Sequence, residues 1–470
     1  MFVLVTFVCL LVSLTVDSAS NSRSGHNSCD IGGLAAEIAS YEPVVKRIIE
    51  YVVSGPYKGK TYQELAKFVD KFGARPSGTE VLEHAIDYMI QLTRDENIDD
   101  ITTEELTVPR WARGEEELTM LEPRVKNMAL LGLGPSVSTP PEGITAEVVI
   151  VKSFADLDKH PDSDIEGKIV LYDALYTNYG ETVQYRSRGA VKAAAKGAVA
   201  SLLRSVTPFS INSPHAGMQA YDDNVPKIPA AAITLEDADL LKRIYSRGEK
   251  IVLNLKMFST SETKISRNTL VDYKGTEKPE KLVIVSGHID SWDVGQGAMD
   301  DGGGLFVSWA VPVILNRLNL KPRRTIRSIF WTAEELGLIG AKAYEEKHRH
   351  EADNINLIME SDEGTFAPLG LRVAGNAEAR CIIKEVLKLF KSINATTLIE
   401  DDSPGSDITV IVETGVPGAS LHNDNSMYFW FHHTEGDTMN VEDEHELDLG
   451  AAFWTAAAYV IADISKDIPR

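Results

Sequence analysis

The chain is poor in cysteine. Three of its 470 residues are cysteines, namely Cys9, Cys29 and Cys381. Small secreted scaffolds held together by disulfides carry many more, so the sequence excludes that class of protein. Cys9 lies in an apolar N-terminal stretch, whereas Cys29 and Cys381 could pair or stay free, and the sequence leaves this open.

The chain also lacks a surplus of positive charge. It has 47 Lys and Arg residues against 69 Asp and Glu residues, so its formal net charge is −22. A field of that sign repels phosphate backbones, and we therefore expect no nucleic-acid partner. The same surplus supplies carboxylates, which are ligands of hard and borderline divalent metals.

Long apolar runs are absent after the N-terminus, so we expect no membrane-spanning segment and no membrane partner. Residues 2–16 are almost wholly apolar and are followed by a short polar stretch, which predicts a signal peptide over 1–20. A buried N-terminal helix is the alternative. A signal peptide implies export through the endoplasmic reticulum and the Golgi apparatus, to the extracellular space or the lysosome. Asn394 then lies in a glycosylation motif.

Composition and periodicity divide the rest of the chain. With 43% hydrophobic and 25% charged residues, it resembles a soluble globular protein of more than one domain. Residues 21–43 are predicted to be a removable pro-segment of a zymogen, or else a disordered tail. Residues 44–124 carry helical spacing and form the first segment of the main domain. Residues 125–258 are β-rich, with an Ala-rich helix over 190–203, and are expected to be an insert that takes no part in the chemistry.

Residues 259–470 alternate between strands and helices and form the second segment of the main domain. This alternation predicts an α/β fold with a mainly parallel or mixed sheet sandwiched by helices. The predicted strands cover 282–285, 326–331 and 356–360, and the predicted helices cover 305–318, 336–348, 377–390 and 447–463.

Acidic and imidazole side chains follow these three strands directly. His288 and Asp290 come after the first strand, Glu334 and Glu335 after the second, and Asp362 after the third. Sites in open α/β sheets form at the carboxyl ends of the strands, so we expect these side chains to converge. Any one of them alone is better explained as a structural residue or a solvated helix start.

Two further segments extend the set. Asp300 lies in a glycine-rich loop after the first strand, and the pair His432–His433 follows an apolar run near the C-terminus. Glycine lets the backbone approach an ion closely. Carboxylates outnumber imidazoles and cysteine is missing from the set, which favours zinc, with cobalt or manganese as substitutes. Such a set is too large for one tetrahedral ion and suits two zinc ions that share a carboxylate.

These motifs, in this order, resemble those of the two-zinc aminopeptidase and glutamate carboxypeptidase family. The likeness rests on residues 73–78, 286–293, 299–302, 334–335, 362 and 433–438. It implies a two-zinc exopeptidase fold, and it makes residues 125–258 similar to the protease-associated insert of that family. It also implies a homodimer.

The resemblance further implies a role for each residue of the set. Asp300 would bridge both zinc ions, with His288 and Asp362 on one and Glu335 and His433 on the other. Glu334 would be the general base, and Asp290 would hold the imidazole of His288 in its metal-binding tautomer. In the family the peptide bond between Asp300 and Asp301 is cis. The spacing selects His433 rather than His432, which we expect to face away on a strand.

The expected function is that of a secreted metallo-exopeptidase. It would hydrolyse short unblocked peptides or dipeptides as a carboxypeptidase or dipeptidase, with a hydroxide bridging two zinc ions. The alternatives are an aminopeptidase, a catalytically silent receptor-like binding protein on the same fold, and a one-zinc acyl-transfer enzyme such as glutaminyl cyclase. The sequence does not determine the preferred substrate side chains.

Overall fold

The computed structural model describes Cys29 and residues 31–470. The predicted signal peptide over 1–20 therefore lies outside the described residues, as does the start of the predicted pro-segment. The described helices are α1 (Leu34–Ala39), α2 (Glu42–Val53), α3 (Lys60–Phe72), α4 (Glu80–Asp95), α5 (Phe154–Leu157), α6 (Asp162–Ile165), α7 (Tyr179–Thr182), α8 (Gln184–Ala194), α9 (Leu235–Ser246), α10 (Gly303–Leu318), α11 (Ile339–His348), α12 (Ala377–Leu387), α13 (Thr409–Val412), α14 (Tyr428–Phe431) and α15 (Glu444–Asp463).

The described strands form one continuous network. They are β1 (Ile101–Glu122), β2 (Lys126–Met128), β3 (Leu130–Gly132), β4 (Ile144–Val151), β5 (Ile169–Tyr172), β6 (Ala200–Arg204), β7 (Ala230–Ile233), β8 (Val252–Tyr273), β9 (Lys278–His288), β10 (Arg324–Trp331), β11 (Ile355–Glu360), β12 (Pro368–Ala374), β13 (Thr397–Glu400) and β14 (Gly418–Asn423). A π-helical turn spans Ala298–Gly302, and 3₁₀ turns span Arg349–Asn354, Lys388–Ile393 and Met439–Val441.

The main domain is built on a mixed sheet in the order β13-β12-β14-β11-β9-β10-β8. Its centre is parallel, because β9 pairs in parallel with both β10 and β11. Alternate residues of β9 point to opposite faces: Val283 packs in the core that contains α10 and α15, and Ile284 packs in the core that contains α11 and α13. Helices therefore cover both faces, and the predicted α/β sandwich is confirmed.

The insert is a smaller sheet in the order β4-β5-β6-β7-β3, with parallel pairing from β4 to β7. It joins the main sheet through β8, which pairs with β10 at one end and with β4 at the other. The expected boundary at 258 thus falls inside a strand that runs through both sheets. The long pairing of β8 with β1 links the two units further.

The predicted Ala-rich helix over 190–203 is wrong in its second half. The helix α8 ends at Ala194, and a turn with a positive φ of 82° at Gly197 leads into β6. The strand β6 lies between β5 and β7 and has four fully buried residues. Pairing and burial on both sides outweigh the helix propensity of alanine here.

The predicted strands and helices of the main domain are otherwise confirmed, with shifted ends. The helix α11 begins at Ile339 rather than 336, because Leu338 has a left-handed backbone with φ 58°. The helix α15 begins earlier than predicted, at Glu444, where Asp443 accepts hydrogen bonds from the first free N–H groups. None of the helices in the described part of the chain combines the length and the apolar character that crossing a bilayer requires.

The N-terminal arm is held by a disulfide between Cys29 and Cys381, which answers the question that the sequence left open. Leu34 and Ile38 of α1 are buried in the main core, and α1 packs on α12, which carries Cys381. The described residues of the predicted pro-segment are therefore folded onto the domain. A cut between Cys29 and residue 43 would leave the N-terminal fragment covalently attached to the domain through this disulfide.

We expect the double substitution of Cys29 and Cys381 by serine to lower the free energy of unfolding by about 2–5 kcal/mol. The bond closes a loop of 352 residues, so its loss enlarges the unfolded ensemble. Urea unfolding under oxidising conditions measures the effect. Dithiothreitol should destabilise the wild type and leave the variant unchanged. Equal urea midpoints for the oxidised wild type and the variant would contradict the expectation.

Candidate metal centre

Three adjacent parallel strands deliver the predicted residues to one edge of the sheet. His288 is the last residue of β9, Glu334 and Glu335 follow β10, and Asp362 follows β11. The remaining predicted residues come from the turn Ala298–Gly302 and from the segment after α14. Because β10, β9 and β11 are neighbours with the same direction, their carboxyl ends meet at this edge. The structure thus brings all of the predicted site residues together.

Asp300 lies at the centre of the cluster. Its Oδ1 atom is 3.3 Å from Nε2 of His288, and that nitrogen is 3.1 Å from Oδ1 of Asp362. Its Oδ2 atom is 3.2 Å from Nε2 of His433, which is 3.1 Å from Oε2 of Glu335. Each oxygen of Asp300 therefore lies beside a different imidazole, and each of these imidazoles contacts a second carboxylate. The Asp300–Asp301 peptide bond is cis, as the resemblance implied.

Backbone carbonyls set the orientation of both imidazoles. Nδ1 of His288 is 2.9 Å from the carbonyl oxygen of Asp290, and Nδ1 of His433 is 3.2 Å from that of Ala216. A carbonyl only accepts, so each Nδ1 carries the proton and donates it. Each Nε2 faces the carboxylates of the cluster and is the ring atom available to a metal ion. This is the arrangement that a metal-binding imidazole requires.

Asp290 acts on the site in a different way from the one the resemblance implied. Its carboxylate lies 3.7 Å from Nδ1 of His288, farther away than its own carbonyl oxygen. The two carboxylate oxygens instead accept hydrogen bonds from the N–H groups of Glu334 and Glu335, at 3.0 Å and 3.4 Å. Asp290 therefore orients the imidazole through its main chain and holds the Glu334–Glu335 turn through its side chain.

The donor set fits a divalent cation. Asp300 Oδ2 and Glu335 Oε1 are buried and accept no hydrogen bond from the described residues. Burial, with the charge of Asp300 beside it, raises the pKa of Glu335 to about 8. Burial opposes the charged form of His433 as well, but Glu335 and Asp300 raise its pKa to about 10. Buried, mutually repelling carboxylates of this kind are stabilised by a positive ion.

The structure corrects the expectation for His432. This residue ends a short helix rather than a strand, and its ring stacks on that of His433 at 3.5 Å between centroids. Its Nε2 atom is 3.5 Å from Asp300 Oδ2, so it faces the cluster. The described residues contain three overlapping groups of candidate ligands. They are Asp300 with His432 and His433, His288 with Asp301 and Asp362, and His288 with Asp300 and Glu335.

Two buried side chains support the loops of the site and were missed by the sequence analysis as site residues. Asp437 accepts hydrogen bonds from the N–H groups of Ala298, Met299 and Asp300. Arg75 is fully buried, and its guanidinium donates to four carbonyl groups. These belong to Gly73, Ile289, Gln296 and Gly297. Both residues lie within motifs that carried the family resemblance, and that position was the available signal.

Glu334 lies at the wall of a cavity of about 300 Å³ beside the cluster. Its Oε2 atom is 4.0 Å from Nε2 of His288, and its Oε1 atom accepts a hydrogen bond from Ser406. The insert also lines this cavity, through Tyr179, Arg186 and Met218. The insert, which we expected to take no part in the chemistry, thus contributes to the wall of the site. Neither Ser406 nor these insert residues carry a sequence signal, because folding alone brings them here.

The comparison with known proteins agrees with this geometry. Residues 268–458 match the model of peptidase family M28, and residues 138–241 match the PA domain. The PA match lies within the predicted insert over 125–258. The match to family M28 covers every predicted ligand and Glu334.

Curated relatives match over nearly the whole chain. Carboxypeptidase Q of Xenopus laevis is 51% identical over 93% of each chain, and carboxypeptidase Q of Homo sapiens is 49% identical over 92% of each. The crystal structure of a peptidase M28 precursor from Shewanella amazonensis superposes with a TM-score of 0.88. It is 31% identical, with 92% of this chain and 99% of that chain covered.

A zinc aminopeptidase from Bacillus subtilis shares the fold, with a TM-score of 0.65 at 21% identity over 88% of this chain and 98% of that chain. The family resemblance noted in the sequence is thus confirmed at the level of the whole chain. The chain belongs to the carboxypeptidase Q group of peptidase family M28, and it is a metallo-exopeptidase.

Proposed function

We propose that this protein hydrolyses short unblocked peptides, dipeptides above all, with two zinc ions bound per chain. The observation that carries the proposal is the arrangement around Asp300, where each carboxylate oxygen lies beside a different imidazole and each imidazole contacts a further carboxylate. His288 and Asp362 would hold one ion, Glu335 and His433 the other, and Asp300 both. Zinc, when bound, supplies a Lewis acid and a water that ionises near neutral pH.

Glu334 is the proton carrier in this proposal. It lies at the cavity wall, and its side chain is 14% exposed, so it can reach both the cluster and a substrate. It would take a proton from the attacking water and pass it to the leaving amine. The Ser406 hydroxyl donates to Oε1 and leaves Oε2 free for that transfer. Asp290 would fix the main chain of Glu334 at the required place.

The size of the cavity favours small substrates. A volume of about 300 Å³ is at the lower end of the range for small-molecule sites, and it suits a dipeptide better than a protein chain. Walls from both the main domain and the insert enclose it. An exopeptidase needs a site that is closed on one side. In this proposal, the residues of the insert that line the cavity close that side.

Two measurements test the proposal together. The first is the zinc content per chain of the purified protein, for which we expect two ions. The second is hydrolysis of a panel that contains a free dipeptide, its N-acetylated form and its C-terminal amide. A protein that binds zinc but cleaves no member of the panel would contradict the proposed enzyme. The silent binding protein that the sequence left open predicts neither zinc nor hydrolysis.

The route of the protein through the cell also belongs to the proposal. The apolar stretch over 2–16 supports a signal peptide that is cleaved near Ala19 or Ser20, followed by secretion or delivery to the lysosome. Asn394 is exposed and could accept a glycan. Mass spectrometry of secreted protein that still contained residues 2–16 would refute the cleavage. The homodimer implied by the resemblance stays a prediction, which light scattering of the purified protein would check.

A further inference from the structure

Ala216 of the insert forms two hydrogen bonds with His433. Its N–H group donates to the carbonyl oxygen of His433 at 2.9 Å. Its own carbonyl oxygen accepts from Nδ1 of the His433 ring at 3.2 Å. One residue of the insert therefore holds both the main chain and the imidazole of a proposed metal ligand. We call this pair of hydrogen bonds the Ala216 bridge.

The backbone of His433 needs such a restraint. Its φ is 61°, in the left-handed region that residues with a side chain seldom adopt. Tertiary contacts have to hold a residue in that conformation. Ala216 lies in a buried apolar cluster with Trp111, Trp292 and Val294, and the ring of Trp292 is 5.4 Å from that of His433 between centroids. The Ala216 bridge is thus shielded from water, which strengthens its hydrogen bonds.

The same loop of the insert also contacts the helix that precedes His433. Thr207 is buried, and its hydroxyl donates to the carbonyl oxygen of Phe429 in α14 at 2.5 Å. The ring of Phe209 stacks on that of Trp430, with 4.4 Å between centroids. The helix α14 ends two residues before His433. The insert therefore fixes the segment over 429–433 near its start and at its end.

His288, the other imidazole of the proposed centre, is oriented from within the main domain. Its Nδ1 donates to the carbonyl oxygen of Asp290, two residues farther along the same segment. Its N–H group donates to Oδ2 of Asp301, at 2.9 Å. The two imidazoles are therefore held by different parts of the chain, one by the main domain and one by the insert.

We infer that the insert controls the affinity of one of the two proposed zinc sites, the one formed by His433 and Glu335, through the Ala216 bridge. The inference rests on the proposed two-zinc centre and adds a difference between its ions. Thr207 and Phe209 are positioning residues, because they act on His433 through the loop and α14. A group that orients a metal-binding imidazole typically changes metal affinity about 10- to 100-fold. Loosening the insert on α14 should therefore weaken one ion and leave the other in place.

Zinc binding by Phe209→Ala gives the first test. The wild type and the variant are dialysed against a series of chelator-buffered zinc concentrations, and the zinc bound per chain is measured. We expect one ion to bind as in the wild type and the other about 10- to 100-fold more weakly. Ile211→Ala is the matched control, because it shortens an exposed apolar side chain of the same loop. Phe209→Tyr keeps the ring stack, and both of these variants should bind two ions as the wild type does.

The identity of the weakened ion is tested in the Asp362→Ala variant. Asp362 contacts His288, so the ion that stays bound in this variant should be the one at His433 and Glu335. Adding Phe209→Ala should then weaken the remaining ion about 10- to 100-fold. If the remaining ion keeps its affinity, the insert acts on the other site and the inference is overturned.

Failure of the inference and failure of the proposed function give different results. A wild type that binds fewer than two zinc ions would refute the proposed centre and with it this inference. Two ions with unchanged affinity in Phe209→Ala would overturn the inference alone. So would an equal weakening of both ions, which a general loss of structure predicts. If Phe209→Ala does not fold, Thr207→Val replaces it, because it removes only the hydrogen bond to Phe429, and its zinc binding is read in the same way.

Discussion

Replacing Glu334 by glutamine is expected to lower kcat by at least about 100-fold while zinc stays bound, the scale of a lost general base. Glutamine has nearly the same shape as glutamate and can still accept the hydrogen bond from Ser406 through its amide oxygen. It cannot take a proton from water. Because the main-chain hydrogen bond from Glu334 to Asp290 is also retained, the substitution isolates proton transfer from packing.

Neighbouring carboxylates provide the controls for this measurement. Glu335→Ala should lose zinc and activity together, because Glu335 lies 3.1 Å from Nε2 of His433 within the cluster. Glu363→Gln changes a carboxylate at the cavity wall outside the proposed ligand set, and its kcat should remain within about threefold of the wild type. Normal hydrolysis by Glu334→Gln would refute the role of Glu334 without affecting the assignment of the fold.

Replacing Asp300 by alanine is expected to remove both zinc ions and with them all measurable hydrolysis. Its two oxygens lie beside different imidazoles, so in the proposed centre its loss leaves neither ion with a full set of ligands. Asp362→Ala should mainly weaken one ion, because Asp362 contacts His288, on one side of the cluster. We therefore expect a larger loss of zinc from Asp300→Ala, which removes the proposed bridging carboxylate, than from Asp362→Ala, which removes a carboxylate on one ion.

Metal analysis after dialysis against a weak chelator measures this difference. We expect about two zinc ions per chain in the wild type, about one in Asp362→Ala and none in Asp300→Ala. Asp293→Ala serves as a control from the same loop region, since Asp293 pairs with Arg113 and does not belong to the cluster. Two ions retained in Asp300→Ala would contradict its assignment as the bridging ligand.

The insert contributes to both the metal centre and the cavity beside it. The insert supplies the carbonyl of Ala216, to which His433 donates, and it supplies the guanidinium at the cavity wall. The orientation of His433 and the shape of the cavity therefore depend on the position of the insert. The continuous strand β8 and its pairing with β1 hold that position.

The sequence by itself determined the fold class and the set of candidate ligands. Buried strands appear in the sequence as runs of apolar residues. In a parallel sheet, polar residues that directly follow such runs lie at the carboxyl edge. His288, Glu335 and Asp362 could therefore be placed together without a structure, because strand direction and side-chain alternation are local properties. The glycine-rich loop added Asp300 in the same way.

Only the tertiary structure decided which atoms form hydrogen bonds to those candidate ligands and orient them. Side-chain rotation decides that the His432 ring faces Asp300. Backbone carbonyl oxygens orient His288 and His433. The carbonyl at His433 and the hydroxyl of Ser406, which donates to Glu334, come from segments far away in the sequence. The same holds for the strand β6, where burial between two neighbours outweighs the helix propensity of alanine. Arg186 shows the limit most clearly, because its spacing on α8 resembles that of any surface arginine, and only long-range packing places it against the cavity without a carboxylate partner among the described residues.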